Sequence, residues 1–239
     1  MKDIQVLVIS LAGSTARQAK VCSELRKTQL PWHFLDAVRG SALTEPPKEY
    51  SADKVKRLLG FELTPNELGC FLSHKKAWQE CIDQNIPTII FEDDFYLLPH
   101  FEKTIHFLMN QYIEWDAVRL QGLNLVSQQL IYDAGEYSVV RNRGDAVGAT
   151  AYIIKPHAAK KLADTSHAIY EPLDHFLEHH QKHQLTFLAI KPYPVDITGV
   201  QTTIADRPGR LPIKGWTKLK RSISRSVDRW FSKDPWFPK

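Results

Sequence analysis

The stretch Pro87-Thr88-Ile89-Ile90-Phe91-Glu92-Asp93-Asp94-Phe95-Tyr96 is the basis of the fold prediction, because an apolar run ends abruptly at three consecutive carboxylates. A short run rich in β-branched and aromatic residues predicts a buried strand over 88–91. Ligands of open α/β sheets bind at the carboxyl ends of strands. Three adjacent acids repel one another, and a hard divalent cation such as Mg²⁺ or Mn²⁺ would compensate them. The stretch therefore favours a metal–nucleotide site, with an acidic, solvated turn as an equally good explanation.

The composition is ordinary for a soluble globular protein. The chain has 239 residues, of which 43% are hydrophobic and 24% charged, enough for one large domain or two small ones. We expect no signal peptide and no transmembrane span, because the apolar run at 6–11 is too short. The three cysteines lack metal-ligand spacing and predict a reducing compartment without disulfides. Of these, Cys70 and Cys81 are expected to be small core residues.

The first forty residues alternate between strand and helix patterns. Residues 4–11 and 32–38 have strand patterns, and 16–28 form an amphipathic helix between them, so a βα unit and a parallel sheet are expected. The turn containing Gly13 lacks the G-x-G-x-x-G fingerprint, which does not support dinucleotide binding. The segment Thr64-Pro65-Asn66-Glu67 predicts a helix start with a capping box. The overall expectation is an α/β fold with helices on both faces of a mostly parallel sheet.

A second acid of interest, Asp174, lies near a predicted helix start that continues to about residue 182. The helix dipole favours a carboxylate there, and such a group can act as a general base or merely stabilise the helix. Four histidines with helical spacing follow it, and they raise a zinc hypothesis. The adjacent apolar stripe favours a solvated histidine face instead. These histidines are His175, His179, His180 and His183.

The C-terminal segment 214–239 is strongly basic, with eight lysines or arginines and two acids. Its apolar residues recur at steps of three or four over 216–231, which predicts an amphipathic basic helix. Such a helix lies on anionic membranes, or it docks on its own domain. Nucleic acid is not an expected partner, because a basic helix alone specifies no groove-reading motif.

Several stretches, taken in chain order, resemble one known family. Together they span residues 4–205, and one of them, 148–154, begins with small residues just before a predicted strand. They are 9–11 with Arg17, 34–38, Glu67-Leu68-Gly69-Cys70-Phe71-Leu72-Ser73-His74 with Trp78, Ile89-Ile90-Phe91-Glu92-Asp93-Asp94, 148–154, and Pro172-Leu173-Asp174. The family is glycosyltransferase family 25, which contains bacterial lipooligosaccharide and lipopolysaccharide galactosyltransferases and the related collagen galactosyltransferases.

The resemblance implies a GT-A-like single domain over residues 1–205, followed by a mobile loop and basic tail at 206–239. It implies an inverting transfer of a hexose, with galactose in β linkage expected, from a UDP-sugar to a lipooligosaccharide or lipopolysaccharide acceptor. Mn²⁺ or Mg²⁺ would be the cofactor. The enzyme would be cytoplasmic and peripheral on the inner face of the bacterial inner membrane. There the tail would meet the anionic surface that carries the lipid-linked oligosaccharide.

The resemblance also assigns roles to individual residues. Asp94 and Glu92 would hold the metal, and Asp174 would deprotonate the acceptor hydroxyl. Because Glu92 stands where the generic D-x-D motif has Asp, strict metal dependence stays open. The positions assigned to the nucleotide-sugar are Arg17, Asp36, Glu92 and Asp93.

Two other function classes stay open. A glycoside hydrolase uses two facing carboxylates, for which three adjacent acids are a poor substitute. A catalytically silent carbohydrate-binding or adhesion module could keep the same fold, because fold alone does not fix function. The presence of the acids argues against that second alternative.

Overall fold

The structure is a computed structural model that describes residues 4–111, 113–124, 126–143 and 146–198. The predicted tail helix over 216–231 and the domain boundary expected near residue 205 lie outside the described residues. Among the helices that the structure describes, none is long and apolar enough to cross a lipid bilayer.

Strands and helices are interspersed along the chain, as expected for an α/β fold. The strands are β1 (Gln5–Ser10), β2 (Trp32–Asp36), β3 (Thr88–Glu92), β4 (Phe95–Leu97), β5 (Ala117–Arg119), β6 (Ser127–Asp133), β7 (Ser138–Arg143), β8 (Ala151–Ile154), β9 (Phe187–Lys191) and β10 (Val195–Ile197). The helices are α1 (Thr15–Leu25), α2 (Ala52–Leu59), α3 (Pro65–Gln84), α4 (Phe101–Asn110), α5 (Pro156–Thr165), α6 (Leu173–Glu178) and α7 (His180–His183), and a 3-10 turn spans Gly40–Ala42.

Within the described residues, eight strands form one sheet in the order β2-β1-β3-β8-β5-β9-β7-β6. Strands β2, β1 and β3 are mutually parallel, and β5 and β9 are parallel to each other. Strands β8 and β7 run antiparallel to their neighbours, so the other six strands share one direction. The predicted α/β class with a mostly parallel sheet is confirmed, and β7 and β8 are its two reversed strands.

Both faces of the sheet are covered by helices, as predicted. Side chains alternate along a strand, so β1 sends Val6 and Val8 to one face and Leu7 and Ile9 to the other. The first pair packs with apolar residues of α1 and α4. The second pair packs with residues of α2, α3, α5 and α6. The buried strands β1 and β3 therefore lie at the centre of two apolar layers.

Helix α3 is fixed against the loop that follows β2. It begins at the predicted capping box, in which Thr64 Oγ1 accepts from the Glu67 N–H and Glu67 Oε2 accepts from the Thr64 N–H. Gly69 permits a close approach, because a Cβ there would lie 2.6 Å from the Val38 carbonyl oxygen. Ser73 Oγ accepts a hydrogen bond from the Val38 N–H at 2.8 Å. These contacts position the β2 loop beside the carboxyl edge of the sheet.

The helix predicted to continue to about residue 182 is interrupted at His179. Helix α6 ends at Glu178, and α7 begins at His180. After the break His183 is buried, and its Nε2 lies 3.4 Å from the Leu177 carbonyl oxygen. The solvated-face prediction is therefore wrong for His183. The zinc hypothesis gains no support either, because His179 Nδ1 pairs with Glu171 at 2.7 Å instead of joining its neighbours around one point.

We expect His183→Gln to reduce the loss of stability in acid. Burial, aided by the charge of His180, lowers the pKa of His183 to about 3 from its ordinary 6.5. The unfolded chain therefore binds a proton on this histidine at a higher pH than the folded protein does. The contribution of neutral His183 to stability is full above pH 6.5 and is lost as the pH falls toward 3. Between pH 7 and pH 5, the free energy of unfolding should fall by about 2 kcal/mol more in the wild type than in the variant.

Urea unfolding of both proteins at pH 7 and pH 5 measures this difference. His167→Gln is the control, because His167 is exposed and should leave the wild-type pH dependence intact. Equal pH dependence in wild type and His183→Gln would show that His183 is not the group responsible.

Candidate active site

A pocket of about 330 Å³ opens at the carboxyl edge of the three parallel strands β2, β1 and β3. Its position agrees with the rule that α/β proteins bind ligands at this edge. Strand ends supply one side and α3 supplies the other. The lining residues are 9–11, 37–41 and 92–94, together with Ser14, Arg17, Asn66, Cys70, Ser73 and His74.

Asp93 is held in the pocket wall by two side chains. Its Oδ1 pairs with Arg17 Nη1 at 2.8 Å, and its Oδ2 accepts from Ser10 Oγ at 2.7 Å. The structure thus brings together Arg17 and Asp93, two of the residues expected near the nucleotide. Because both carboxylate oxygens are engaged, Asp93 ties the end of β3 to β1 and α1.

Glu92 faces α3 and β8. Its Oε1 lies 3.5 Å from Cys70 Sγ and 3.6 Å from His74 Nε2, and its Oε2 accepts from Thr150 Oγ1 at 3.2 Å. Burial acts to raise the pKa of Glu92, but His74, Cys70 and Thr150 together outweigh it and lower the pKa. Glu92 is therefore a half-buried carboxylate whose surroundings favour the ionised form.

Asp94 differs from both neighbours, because its charge is poorly compensated. Its Oδ1 is buried and has no hydrogen-bond partner among the described residues. Burial and then the charge of Glu92 raise the pKa of Asp94 to about 6, although Arg17 opposes the shift. A buried oxygen in this state gains from a nearby cation, and carboxylates are ligands that Mg²⁺ and Mn²⁺ prefer. The residues present therefore fit a hard divalent cation at Asp94.

Asp36 and Asp174 do not line this pocket. Asp36 is exposed at the end of β2, one residue before the lining begins at Ala37. Asp174 is half-buried in the first turn of α6, and its Oδ1 accepts from the His175 N–H at 2.9 Å. After the larger effect of burial and the charge of Glu92, the charge of Asp174 also raises the pKa of Cys70. Asp174 and the pocket-lining Cys70 thus lie within electrostatic range of each other.

Comparison with known proteins identifies the family. The chain matches the family model for glycosyltransferase family 25 (LPS biosynthesis protein) over residues 3–177. The chain belongs to glycosyltransferase family 25. The resemblance read from the sequence motifs is thereby confirmed.

Three family 25 relatives illustrate the range of the similarity. Lipooligosaccharide biosynthesis protein lic2B of Haemophilus influenzae is 27% identical over 65% of this chain and 61% of its own length. Procollagen galactosyltransferase 1 of Danio rerio is 23% identical over 84% of this chain and 38% of its length. Inactive glycosyltransferase 25 family member 3 of Mus musculus is 28% identical over 72% of this chain and 31% of its length. This chain thus spans about a third of the animal proteins.

Two solved structures illustrate a distant similarity in structure. A glycosyltransferase involved in glycosylation of the major capsid of PBCV-1 is 9% identical, with a TM-score of 0.33 over 67% of this chain and 65% of that one. A197 from STIV is 12% identical, with a TM-score of 0.36 over 78% and 80%. The fold class of this family 25 chain rests on its own sheet topology.

The structure adds pocket residues that the sequence reading missed. Cys70 is partly buried against the core, as its spacing predicted, but it also lines the pocket, whereas Cys81 is fully buried as expected. Arg39 also lines the pocket, and its Nη2 donates to the Ala12 carbonyl oxygen at 3.2 Å. The position of Arg39 just after a predicted strand was the available signal. Thr150 lies in the small-residue segment that resembles the family, but its contact with Glu92 depends on the antiparallel pairing of β8 with β3, which the sequence did not predict.

A buried ion pair links this edge of the sheet to α6. Arg119 Nη2 lies 2.6 Å from Glu178 Oε1, and both side chains are at least 95% buried. Glu178 Oε1 also accepts from the Val147 N–H at 3.0 Å, and Arg119 donates to the Gly148 carbonyl oxygen. The pair thereby fixes α6, which carries Asp174, relative to the segment that leads into Thr150.

All three cysteines lie in the described part of the chain and are free, which confirms the prediction of no disulfides.

Proposed function

We propose that this family 25 member is an inverting glycosyltransferase that moves a hexose from a UDP-sugar to an oligosaccharide acceptor. The observation that carries the proposal is the undercompensated Asp94 carboxylate at the end of β3, inside a pocket that also presents arginines. A carboxylate is a ligand for a divalent cation, and arginines bind diphosphate oxygens, so this pocket offers partners for both. We propose galactose as the sugar and β as the linkage.

The donor would occupy the pocket described above. Its volume of about 330 Å³ lies at the lower end of the range for small-molecule sites, which is suitable for part of a nucleotide-sugar. Arg39 faces this space and has a carbonyl rather than a carboxylate partner, so its charge is available to the diphosphate. The loop 37–41 and Asn66 would surround the nucleoside. Arg17 would act through Asp93, by keeping the acidic segment in place.

Asp94 would hold Mn²⁺ or Mg²⁺, with Glu92 beside it. When bound, the cation supplies a Lewis acid for the charge that develops on the departing diphosphate. Glu92 is oriented for this position by Thr150 and Cys70.

Asp174 would serve as the general base. It would accept the proton of the acceptor hydroxyl while that oxygen forms a bond to the anomeric carbon and the bond to the UDP oxygen breaks, with its electron pair leaving on the diphosphate. Its place in the first turn of α6 puts it on a different element from the acids of β3, and its charge reaches the pocket-lining Cys70. An inverting transfer needs such a separation, because base and leaving group lie on opposite faces of the sugar.

We propose a lipid-linked oligosaccharide of the lipooligosaccharide or lipopolysaccharide type as the acceptor. The name of the Haemophilus relative supports that choice, and the basic segment 214–239 suits an anionic membrane surface. The site of action would then be the cytoplasmic face of the inner membrane.

A catalytically silent family member is the second candidate, because the mouse relative carries the name inactive glycosyltransferase. A hydrolase is less well supported, since it requires two facing carboxylates, whereas here three acids are adjacent in the chain and Asp93 is tied to Arg17 and Ser10.

A donor screen distinguishes these functions. Purified protein is incubated with a panel of UDP-sugars and Mn²⁺, with and without deacylated lipooligosaccharide, and released UDP is measured. The transferase predicts UDP release from one donor that rises when the acceptor is added. UDP release that is the same with and without the acceptor would indicate hydrolysis. No UDP release from any donor would favour the silent module.

We expect Arg39→Gln to weaken UDP binding by about tenfold or more, because one charge-assisted hydrogen bond to the diphosphate is lost. Isothermal titration of UDP in the presence of Mn²⁺ measures the change. Arg57→Gln, an exposed position on α2, is the matched control and should bind like the wild type. Unchanged affinity in Arg39→Gln would remove Arg39 from the donor site.

A further inference from the structure

We propose that Cys70, His74 and Glu92 form a second cation site, which takes zinc-class divalent ions. It differs in chemistry from the hard-cation site at Asp94. One ligand atom from each residue lies within 4.8 Å of the other two. A thiol, an imidazole and a carboxylate are the donor types of protein zinc sites, whereas Mg²⁺ takes oxygen ligands.

Two elements bring these donors together. Cys70 and His74 are four residues apart on α3, so they share one face of the helix. Glu92 approaches that face from the end of β3, and its Oε1 lies 3.5 Å from the thiol sulfur and 3.6 Å from the imidazole Nε2. All three residues line the pocket, so a bound ion would have an open side for a fourth ligand.

His74 gives the independent indication of a ligand. Its side chain is fully buried, and its Nε2 has no hydrogen-bond partner among the described residues. Glu92 Oε1 lies 3.6 Å from Nε2, which is within ion-pair range but too long for a hydrogen bond. A buried polar atom without a hydrogen-bond partner lowers the stability of the fold by about 1–3 kcal/mol. The buried Nε2 of His74 therefore needs a structural explanation. A cation bonded to Nε2 would supply one.

The other ring nitrogen of His74 is held as metal-binding histidines require. Its Nδ1 lies 2.9 Å from Tyr152 Oη, which also accepts a hydrogen bond from Trp78 Nε1 at 2.9 Å. Such outer partners orient the ring of a ligating histidine. The phenol oxygen has two lone pairs, so it can accept from Trp78 and from a protonated Nδ1 together.

The binding step balances in protons and charge. The divalent ion forms bonds to Cys70 Sγ, His74 Nε2 and Glu92 Oε1, and the Cys70 proton leaves to solvent as the thiolate coordinates. A ligating imidazole is neutral, so the remaining ring proton would lie on Nδ1, facing Tyr152 Oη. The two negative ligands match the ion's double charge, and no oxidant or reductant takes part.

One consequence rests on the proposed function. Glu92 also borders the hard-cation site, so a zinc-class ion that holds Glu92 would compete with Mn²⁺-dependent use of the donor pocket. The binding test below uses neither UDP-sugar nor acceptor, so its failure is distinguishable from failure of the proposed transferase.

Cobalt(II) is the probe, because it occupies zinc sites and its bond to a thiolate absorbs in the near ultraviolet. Titration of the purified full-length protein with Co²⁺ should produce this band, and one equivalent of Zn²⁺ should remove it. Cys70→Ser should lack the band, whereas Cys22→Ser, on α1, should keep it. Tyr152→Phe should weaken Co²⁺ affinity by about 10–100-fold, since it removes the outer partner of His74.

The wild type tests the proposal even where a variant folds poorly, and circular dichroism reports the folding of each variant. Absence of the thiolate band in the folded wild type would overturn the assignment. A band that persists in Cys70→Ser, or that disappears in Cys22→Ser, would overturn it as well.

Discussion

Asp94→Asn should lower the rate of UDP-sugar turnover by about 10²–10³-fold, the usual cost of losing one group that stabilises developing charge. Asn keeps the shape of Asp94 but lacks the charge that would hold a divalent cation at the end of β3. Steady-state release of UDP at saturating Mn²⁺ measures the loss. Asp83→Asn is the matched control, because Asp83 is exposed near the end of α3 and should leave turnover unchanged.

The same variant should be more stable than the wild type when no metal is present. Asp94 has a pKa of about 6 against an ordinary 3.8, so its ionised form destabilises the fold above pH 6, and this cost disappears below pH 3.8. Asn cannot ionise, so we expect a gain on the order of 1–3 kcal/mol at pH 7.5 and none at pH 3.5. Urea unfolding in the presence of a chelator measures it. Full turnover by Asp94→Asn, or a loss of stability at pH 7.5, would contradict the role given to this carboxylate.

Asp174→Asn should lower transfer by about 10²–10⁴-fold and leave UDP binding unchanged. The reason is that Asp174 lies outside the donor pocket and would act only on the acceptor hydroxyl. The amide of Asn can still accept the hydrogen bond from the His175 N–H, so α6 should keep its first turn. Single-turnover transfer assays and UDP titration, performed on the same preparation, separate the two effects.

Asp164→Asn is the control for this second prediction. Asp164 is an exposed helix acid that pairs with Lys160 at 3.1 Å, so its loss should affect neither transfer nor UDP affinity. If Asp174→Asn transfers sugar at the wild-type rate, another group is the base. If the variant loses UDP affinity together with transfer, Asp174 belongs to the donor site instead.

Local sequence patterns predicted the elements that position the site. The apolar run before Glu92 forms the buried strand β3, and Thr64 with Glu67 forms the expected capping box. These signals are readable because they depend on neighbours within a few residues. The end of β3 consequently lies at the pocket, where the sequence placed the acidic motif.

The roles of the three acids were not readable from the sequence. Glu92, Asp93 and Asp94 form one acidic run, yet Asp93 is paired with Arg17 from 76 residues earlier, and Glu92 bonds to Thr150 from 58 residues later. Only Asp94 keeps a buried oxygen without a partner among the described residues. Long-range packing, rather than residue type, decides which carboxylate is left for a cation.

The same reason explains why the sequence did not predict the direction of β8 or the position of Cys70 on the pocket wall. Strand β8 carries the apolar pattern of a buried strand whether it runs parallel or antiparallel, so periodicity cannot give its direction. Cys70 has helical spacing typical of a core residue, and only the approach of Glu92 places it on a pocket wall. Asp36 is exposed at the end of β2, one residue before the pocket lining begins, and its contact with the nucleotide stays a prediction.

Calorimetric titration of UDP into the purified protein, with and without Mn²⁺, tests the nucleotide-sugar site most directly. The account predicts that UDP binds with Mn²⁺ present, and that binding is lost when the metal is withheld or when Asp94 is replaced by Asn. No binding of UDP under either condition would contradict it.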